Sequence, residues 1–146
     1  MLVNEVMTKH VICAHMDETL DVVRDLLSSR RIHHVVVLED NRIVGIISDR
    51  DVLRHLSPFM GTNSERSIDA ATLKKRVHQI MTRNVQTVRF DVEAVDAAKI
   101  LLERGISCLP VVSDSGALVG IVSTRDLLRN AVRMGCFTSC PKRDAA

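Results

Sequence analysis

The chain has 146 residues, of which 46% are hydrophobic and 26% charged, with a formal net charge of +2. That is enough for one compact unit or two very small ones and carries no bias toward disorder. The charge is too small for bulk electrostatic capture of nucleic acid. With three Phe, no Tyr and no Trp, the chain also lacks the aromatic platforms of a single-strand-binding surface.

In chain order, Met1-Leu2-Val3-Asn4-Glu5 lacks the basic start and apolar stretch of a signal peptide. The longest apolar runs, such as Val35 to Leu38, fall far short of the roughly 20 residues that span a bilayer. A cytoplasmic location is therefore expected, and Cys13, Cys108, Cys136 and Cys140 read there as thiols. A first strand is expected at residues 11–14. A helix follows with Leu20, Val23 and Leu27 on its buried face, Asp17 capping its start and Arg31 standing at its stop. Residues 34–38 and 43–47 form a hairpin turning at Asp40-Asn41. A helix runs from Ser48 toward His55 and ends at Pro58. Residues 57–67, rich in Ser, Gly and Pro, form a surface connection, and 69–81 read as a helix with Leu73, Val77 and Ile80 on one face.

The same order then returns. A strand over 85–88 precedes a helix with Val95, Ala98 and Leu102 facing inward, Asp91 at its start and Gly105 at its stop. Strands over 108–112 and 118–122 flank a turn at Asp114-Ser115-Gly116, and a last helix runs from Ser123 toward Arg133, stopping at Gly135. Residues from 134 on read as a loose tail. Val6-Met7-Thr8 answers Ile80-Met81-Thr82, and in the same register Asp17, Leu27, Arg30, Ile32 and Val37 meet Asp91, Leu101, Arg104, Ile106 and Val111. After one added residue, the eleven from Val44 to Arg54 meet Val119 to Arg129 with eight identities, which chance does not supply. The chain is a duplication. It divides into a first repeat over 1–58, a connecting loop and helix over 59–79, a second repeat over 80–133 and a C-terminal tail over 134–146. The fold class is α/β (α+β): two β-α-β-β-α units, each too small to stand alone, packed with pseudo-two-fold symmetry.

Three features, taken in order and repeated, resemble the CBS domain family, and the pair resembles its tandem unit, the Bateman module. They are Met-Thr before the first strand, Ile106-Ser107-Cys108-Leu109-Pro110-Val111-Val112, and Gly-x-x-Ser-x-x-Asp at each third strand's end. The likeness covers about residues 1–133. Copy two matches better: Val36 stands where copy one should carry a proline like Pro110. Met16 and Phe90 replace the proline expected after each first strand. The resemblance implies a stand-alone regulatory module, paired as a homodimer and read by an unknown protein partner. It also implies an adenine nucleotide or adenosyl compound (AMP-, ADP- or ATP-like) in clefts between the repeats, with the openings of the second strands lining the base. Those openings are Ile32-His33-His34 and Ile106-Ser107-Cys108; Thr87, in the first strand of copy two, joins them.

The residue chemistry fits a nucleotide. Ser48-Asp49-Arg50-Asp51 and Ser123-Thr124-Arg125-Asp126 each open a helix, where free N–H groups and the dipole favour phosphate. Asp51 and Asp126 lie one turn in, and a carboxylate accepts both hydroxyl hydrogens of a ribose. Arg50 and Arg125 suit phosphate, as do His33 and His34. The bland alternative is that Ser-x-x-Asp is only a capping box. His10, Cys13, His15, His33 and His34 match no zinc spacing, so no metal site is expected. Phosphate-loop, dinucleotide, zinc-protease and nucleophile-elbow motifs are all lacking, so neither catalysis nor a resident cofactor is expected. Two other readings stay open, an interaction module with vestigial sites and a metal-responsive protein.

Overall fold

The computed structural model describes residues 1–136. Its elements are α1 (Val3–Val6), β1 (Cys13–His15), α2 (Leu20–Arg30), β2 (His34–Glu39), β3 (Arg42–Ser48), α3 (Asp49–His55), α4 (Ser67–Ala71), α5 (Val77–Ile80), β4 (Val88–Arg89), α6 (Ala94–Arg104), β5 (Cys108–Val112), β6 (Leu118–Ser123) and α7 (Thr124–Arg133). The strands make two sheets of the same topology, β1-β2-β3 and β4-β5-β6. In each sheet the first pair is parallel, joined by a crossover helix, and the second is an antiparallel hairpin.

Turn chemistry sets the hairpins. Asp40 and Asn41 both take positive φ, as a two-residue turn of this hand demands. Helix α2 ends on Arg31 in the left-handed region, where α6 uses Gly105. The middles of strands β2 and β5 are buried, and their alternate residues Val35 and Val37, and Leu109 and Val111, sit in the two cores.

The repeats interlock. Val3, Val6 and Met7 pack into the core of the second sheet, while Val77, Ile80 and Met81 pack into that of the first. Thr8 bridges Ile121 on β6, and Thr82 bridges Ile46 on β3, with two backbone hydrogen bonds at each place. The exchange is reciprocal, as a two-fold relation between the repeats requires. Gly45 and Gly120 permit it: a Cβ on Gly45 would overlap the Met81 thioether, and one on Gly120 the Met7 thioether.

The structure corrects several expectations. The inward face of α6 is Ala94, Ala97 and Leu101, one residue off the predicted stripe, and Val95 and Leu102 are 58% and 80% exposed. Two apolar stripes overlap on this helix, and the buried one carries the two small residues Ala94 and Ala97 beside Leu101. Neither Asp17 nor Asp91 caps a helix; Thr19 and Glu93 hold those positions without a side-chain cap bond. Asp17 instead faces His78, and Asp91 pairs with Arg89. The first strands are shorter than expected. The helix predicted over 69–81 breaks at Lys75-Arg76, because Leu20, Val77 and His78 donate backbone hydrogen bonds across to and from the 16–20 loop and Lys75. Helix α1 was not anticipated. The predicted tail lies, beyond residue 136, outside the described residues, as does Cys140.

Candidate functional site

Where the repeats meet, a cleft of about 1180 Å³ opens. This exceeds the roughly 300–1,000 Å³ typical of small-molecule sites. Its walls come from both halves, and fourteen of the residues singled out in the sequence line it. From repeat one they are Ile32, His33, His34, Ser48, Asp49, Arg50 and Asp51. From repeat two they are Ile106, Ser107, Cys108, Ser123, Thr124, Arg125 and Asp126. Thr87 is the exception. The cleft wall in that segment is made by Asn84, Val85 and Gln86 and does not include it.

One hydrogen bond in each repeat fixes these segments together. Asp49 N–H donates to the His33 carbonyl and Thr124 N–H to the Ser107 carbonyl, each at 3.0 Å. The base-wall segment is thereby tied to the helix start beside it. Both helix starts are full capping boxes. Asp51 Oδ2 accepts from Ser48 N–H at 2.9 Å and Ser48 Oγ–H at 2.7 Å, and Ser48 Oγ accepts from Asp51 N–H at 3.2 Å. Ser123 and Asp126 repeat this at 2.9, 2.6 and 3.3 Å. The copies differ at the other carboxylate oxygen. Arg129 donates to Asp126 Oδ1 at 3.2 Å, whereas among the described residues no donor reaches Oδ1 of Asp51. Capping therefore leaves one acceptor free in copy one.

The cleft is also crossed by side chains. Asp49 Oδ2 lies 2.7 Å from His33 Nδ1, Arg125 Nη1 lies 2.7 Å from His33 Nε2, and Ser107 Oγ lies 3.1 Å from His34 Nε2. Burial pushes the His34 imidazole below its ordinary pKa and outweighs the opposing pull of Asp49. Burial would raise the Asp49 carboxyl, but the His33 hydrogen bond and the Arg50 N–H outweigh it and hold the group below the usual carboxylate range. Burial pushes the Cys108 thiol up to about 12, so it is an apolar wall and not a nucleophile. Among the described residues no three His, Cys, Asp or Glu converge to hold a metal ion. Nor is any described helix long and apolar enough to cross a membrane.

Sequence reasoning missed part of the lining. Thr8 and Thr82 enter the cleft through the exchanged segments, and Arg54, Arg104 and Arg129 add cationic rim. The paired Met-Thr motif was the available signal for the two threonines.

The CBS domain profile matches residues 3–58 and 77–133, most of the chain and both repeats. The chain belongs to the CBS domain family. A CBS domain-containing protein of Dictyostelium discoideum is 36% identical over 130 residues, spanning 88% of this chain and 89% of its own. Homoserine O-acetyltransferase of Methanococcus vannielii is 32% identical over 127 residues, and the match spans only 24% of that enzyme. Among solved structures, the CBS domain pair of protein MJ0100 in complex with 5′-methylthioadenosine and S-adenosyl-L-methionine superposes with a TM-score of 0.77 at 28% identity. It covers 92% of this chain and 98% of that one. CBSX2 in complex with AMP gives 0.72 at 30% identity, covering 91% and 97%. Adenosyl ligands are thus bound by CBS pairs of this fold.

Proposed function

We propose that this CBS pair is a non-catalytic regulatory module that holds an AMP-, ADP- or ATP-like ligand in the cleft between its repeats. It acts in the cytoplasm as a homodimer, and a protein partner reads the ligand's effect. The observation that carries this reading is the convergence of both Ser-x-x-Asp helix starts and both base-wall segments on one cleft. The cleft combines what a nucleotide needs. Ile32, Ile106 and Cys108 offer apolar surface for a base, Asp51 Oδ1 a free acceptor for ribose, and Arg50, Arg125 and the helix starts donors for phosphate. The adenosyl compounds held by MJ0100 and CBSX2 support the ligand class. The short match to enzymes such as the acetyltransferase supports an accessory, regulatory role for the pair.

A thermal-shift panel of AMP, ADP, ATP, S-adenosylmethionine and NAD tests this. A ligand that binds only the folded chain adds about 2.7 kcal/mol of stability at a hundred times its Kd, so at least one nucleotide must raise Tm. A flat response across the panel favours the interaction module with vestigial sites.

A further inference from the structure

Both Ser-x-x-Asp helix starts line the cleft, but the far ends of the two helices are held differently. Among the described residues Asp69 is the one buried polar or charged side chain, 6% exposed. Burying a carboxylate is costly unless hydrogen bonds satisfy it, and here they run to the end of α3. Ser57 Oγ donates to Asp69 Oδ1 at 2.6 Å, and Arg66 N–H donates to Oδ2 at 2.8 Å. Both hold the carboxyl below the usual carboxylate range, so it stays ionised. Thr72 closes the ring: its hydroxyl donates to the Asp69 carbonyl at 2.6 Å, and its oxygen accepts from Ser57 N–H at 3.4 Å. Beside them, Lys75 Nζ donates to the His55 carbonyl at 3.3 Å, and His55 Nδ1 donates to the Asp51 carbonyl at 2.8 Å. The bonds thus reach from the connecting segment to Asp51 in the cleft wall. Among the described residues α7 has no such clasp. The N–H groups of Met134, Gly135 and Cys136 all bond back to α7 itself. Beyond its first turn, the one side-chain bond to another segment runs from Asn130 to the Met1 thioether, a weak acceptor. Val52 of α3 is buried, whereas no residue of α7 is, Leu127 in the matching place being half-buried.

Resting on the reading of this cleft as a ligand site, we propose that Asp69 is a positioning residue: through Ser57 it fixes α3, so that repeat one is the standing wall of the cleft and α7 the wall that a ligand moves. The two-fold fold then has one-sided mechanics. Local opening is easiest where few buried contacts and few side-chain bonds hold an element, and that element is α7. A ligand that touches both walls orders the looser one more. The change emerges where α7 carries Leu128 and Val132 exposed, and a partner reads it there. Ser57 and Asp69 lie outside the cleft wall, so they act on it only through α3.

The test is hydrogen–deuterium exchange of the full chain, read as protection at Val52 to Leu56 and at Leu128 to Arg133. It is run on the wild type, Ser57→Ala, Ser57→Thr and Asp69→Asn. In the free wild type α3 is expected to be the better protected of the two helices. Ser57→Ala leaves a buried carboxylate oxygen without its donor; it lowers protection of α3 by about tenfold or more and leaves α7 unchanged. Ser57→Thr keeps the hydroxyl and behaves as the wild type, and Asp69→Asn repeats the loss where it folds. AMP at saturation slows exchange in α7 more than in α3, and it binds Ser57→Ala less tightly than Ser57→Thr. Equal protection of the two helices in the free wild type overturns the clasp, as does protection of α3 that Ser57→Ala leaves unchanged. AMP that protects α3 more than α7 overturns the one-sided response. Failure of AMP to bind sinks the cleft reading and the ligand-driven movement with it, while exchange in the free chain still decides the clasp.

Discussion

Asp51 and Asp126 each present two oxygens on one carboxyl group, and capping uses one of them. Oδ2 of each completes a capping box, so the bland and the functional readings of Ser-x-x-Asp are compatible. Oδ1 separates the copies, being free in Asp51 and held by Arg129 in Asp126. If Oδ1 grips a ribose, Asp51→Ala and Asp126→Ala each remove a charge-assisted bond worth roughly 1.5–3 kcal/mol, about ten- to hundredfold in Kd. The sequence pattern, better matched in copy two, ranks Asp126 first. The free oxygen reverses that order, and Asp51→Ala is expected to cost more affinity. Stability suffers less in either case, because Ser48 Oγ and Ser123 Oγ still accept from the backbone N–H at positions 51 and 126 and keep the helix starts capped. Calorimetry with AMP on folded variants decides this, and unchanged affinity in both ends the ribose role. The paired helix starts were legible because one motif occurs twice. The contact of His33 with Arg125 was not, because residues 92 apart meet only through the packing of the repeats.

Among the elements, the hairpins and α3 were the most legible, since Asp40-Asn41 and the Ser48 cap each carry a local physical signal. Helix α1 gave none. A four-residue helix has no stability of its own and forms here only by packing on the other repeat's core. Helix α6 misled because two apolar stripes share it, and the outer one has its own consequence. Val95 and Leu102 on α6 lie exposed, as do Leu128 and Val132 on α7, which packs beside it. The places in repeat one that match Val95 and Leu102 are the polar Asp21 and Ser28, while that of Leu128 is the exposed Leu53. Burying such side chains stabilises by about 1.5–3 kcal/mol each, and exposed apolar clusters of this kind mark contact surfaces. A two-fold partner would cover this face with its own copy. Light scattering at micromolar concentration should give the mass of two chains, and Leu102→Glu should shift it toward one. A single-chain mass for the wild type would remove the homodimer.

At the scale of the molecule, duplication makes the architecture readable and exchange makes it cohesive. Each sheet is completed by the segment that leads into the other repeat, so neither half keeps its core without the other. The repeat order was open to sequence inspection, because eight identities in eleven positions survive in the segment from Val44 to Arg54 and its copy. The exchange was not, since pairing across two similar units leaves no periodic trace. It is also what sets the two Ser-x-x-Asp helix starts around one cleft, and a ligand there must touch both repeats at once. Residue-assigned nitrogen–proton correlation spectra recorded during titration with AMP test that claim most directly. The account predicts saturable shifts at Ser48, Asp51 and His33 together with Ile106, Ser107 and Asp126, while Val95 and Leu102 on the outer face stay still. Shifts confined to one repeat, or centred outside the cleft, would contradict it.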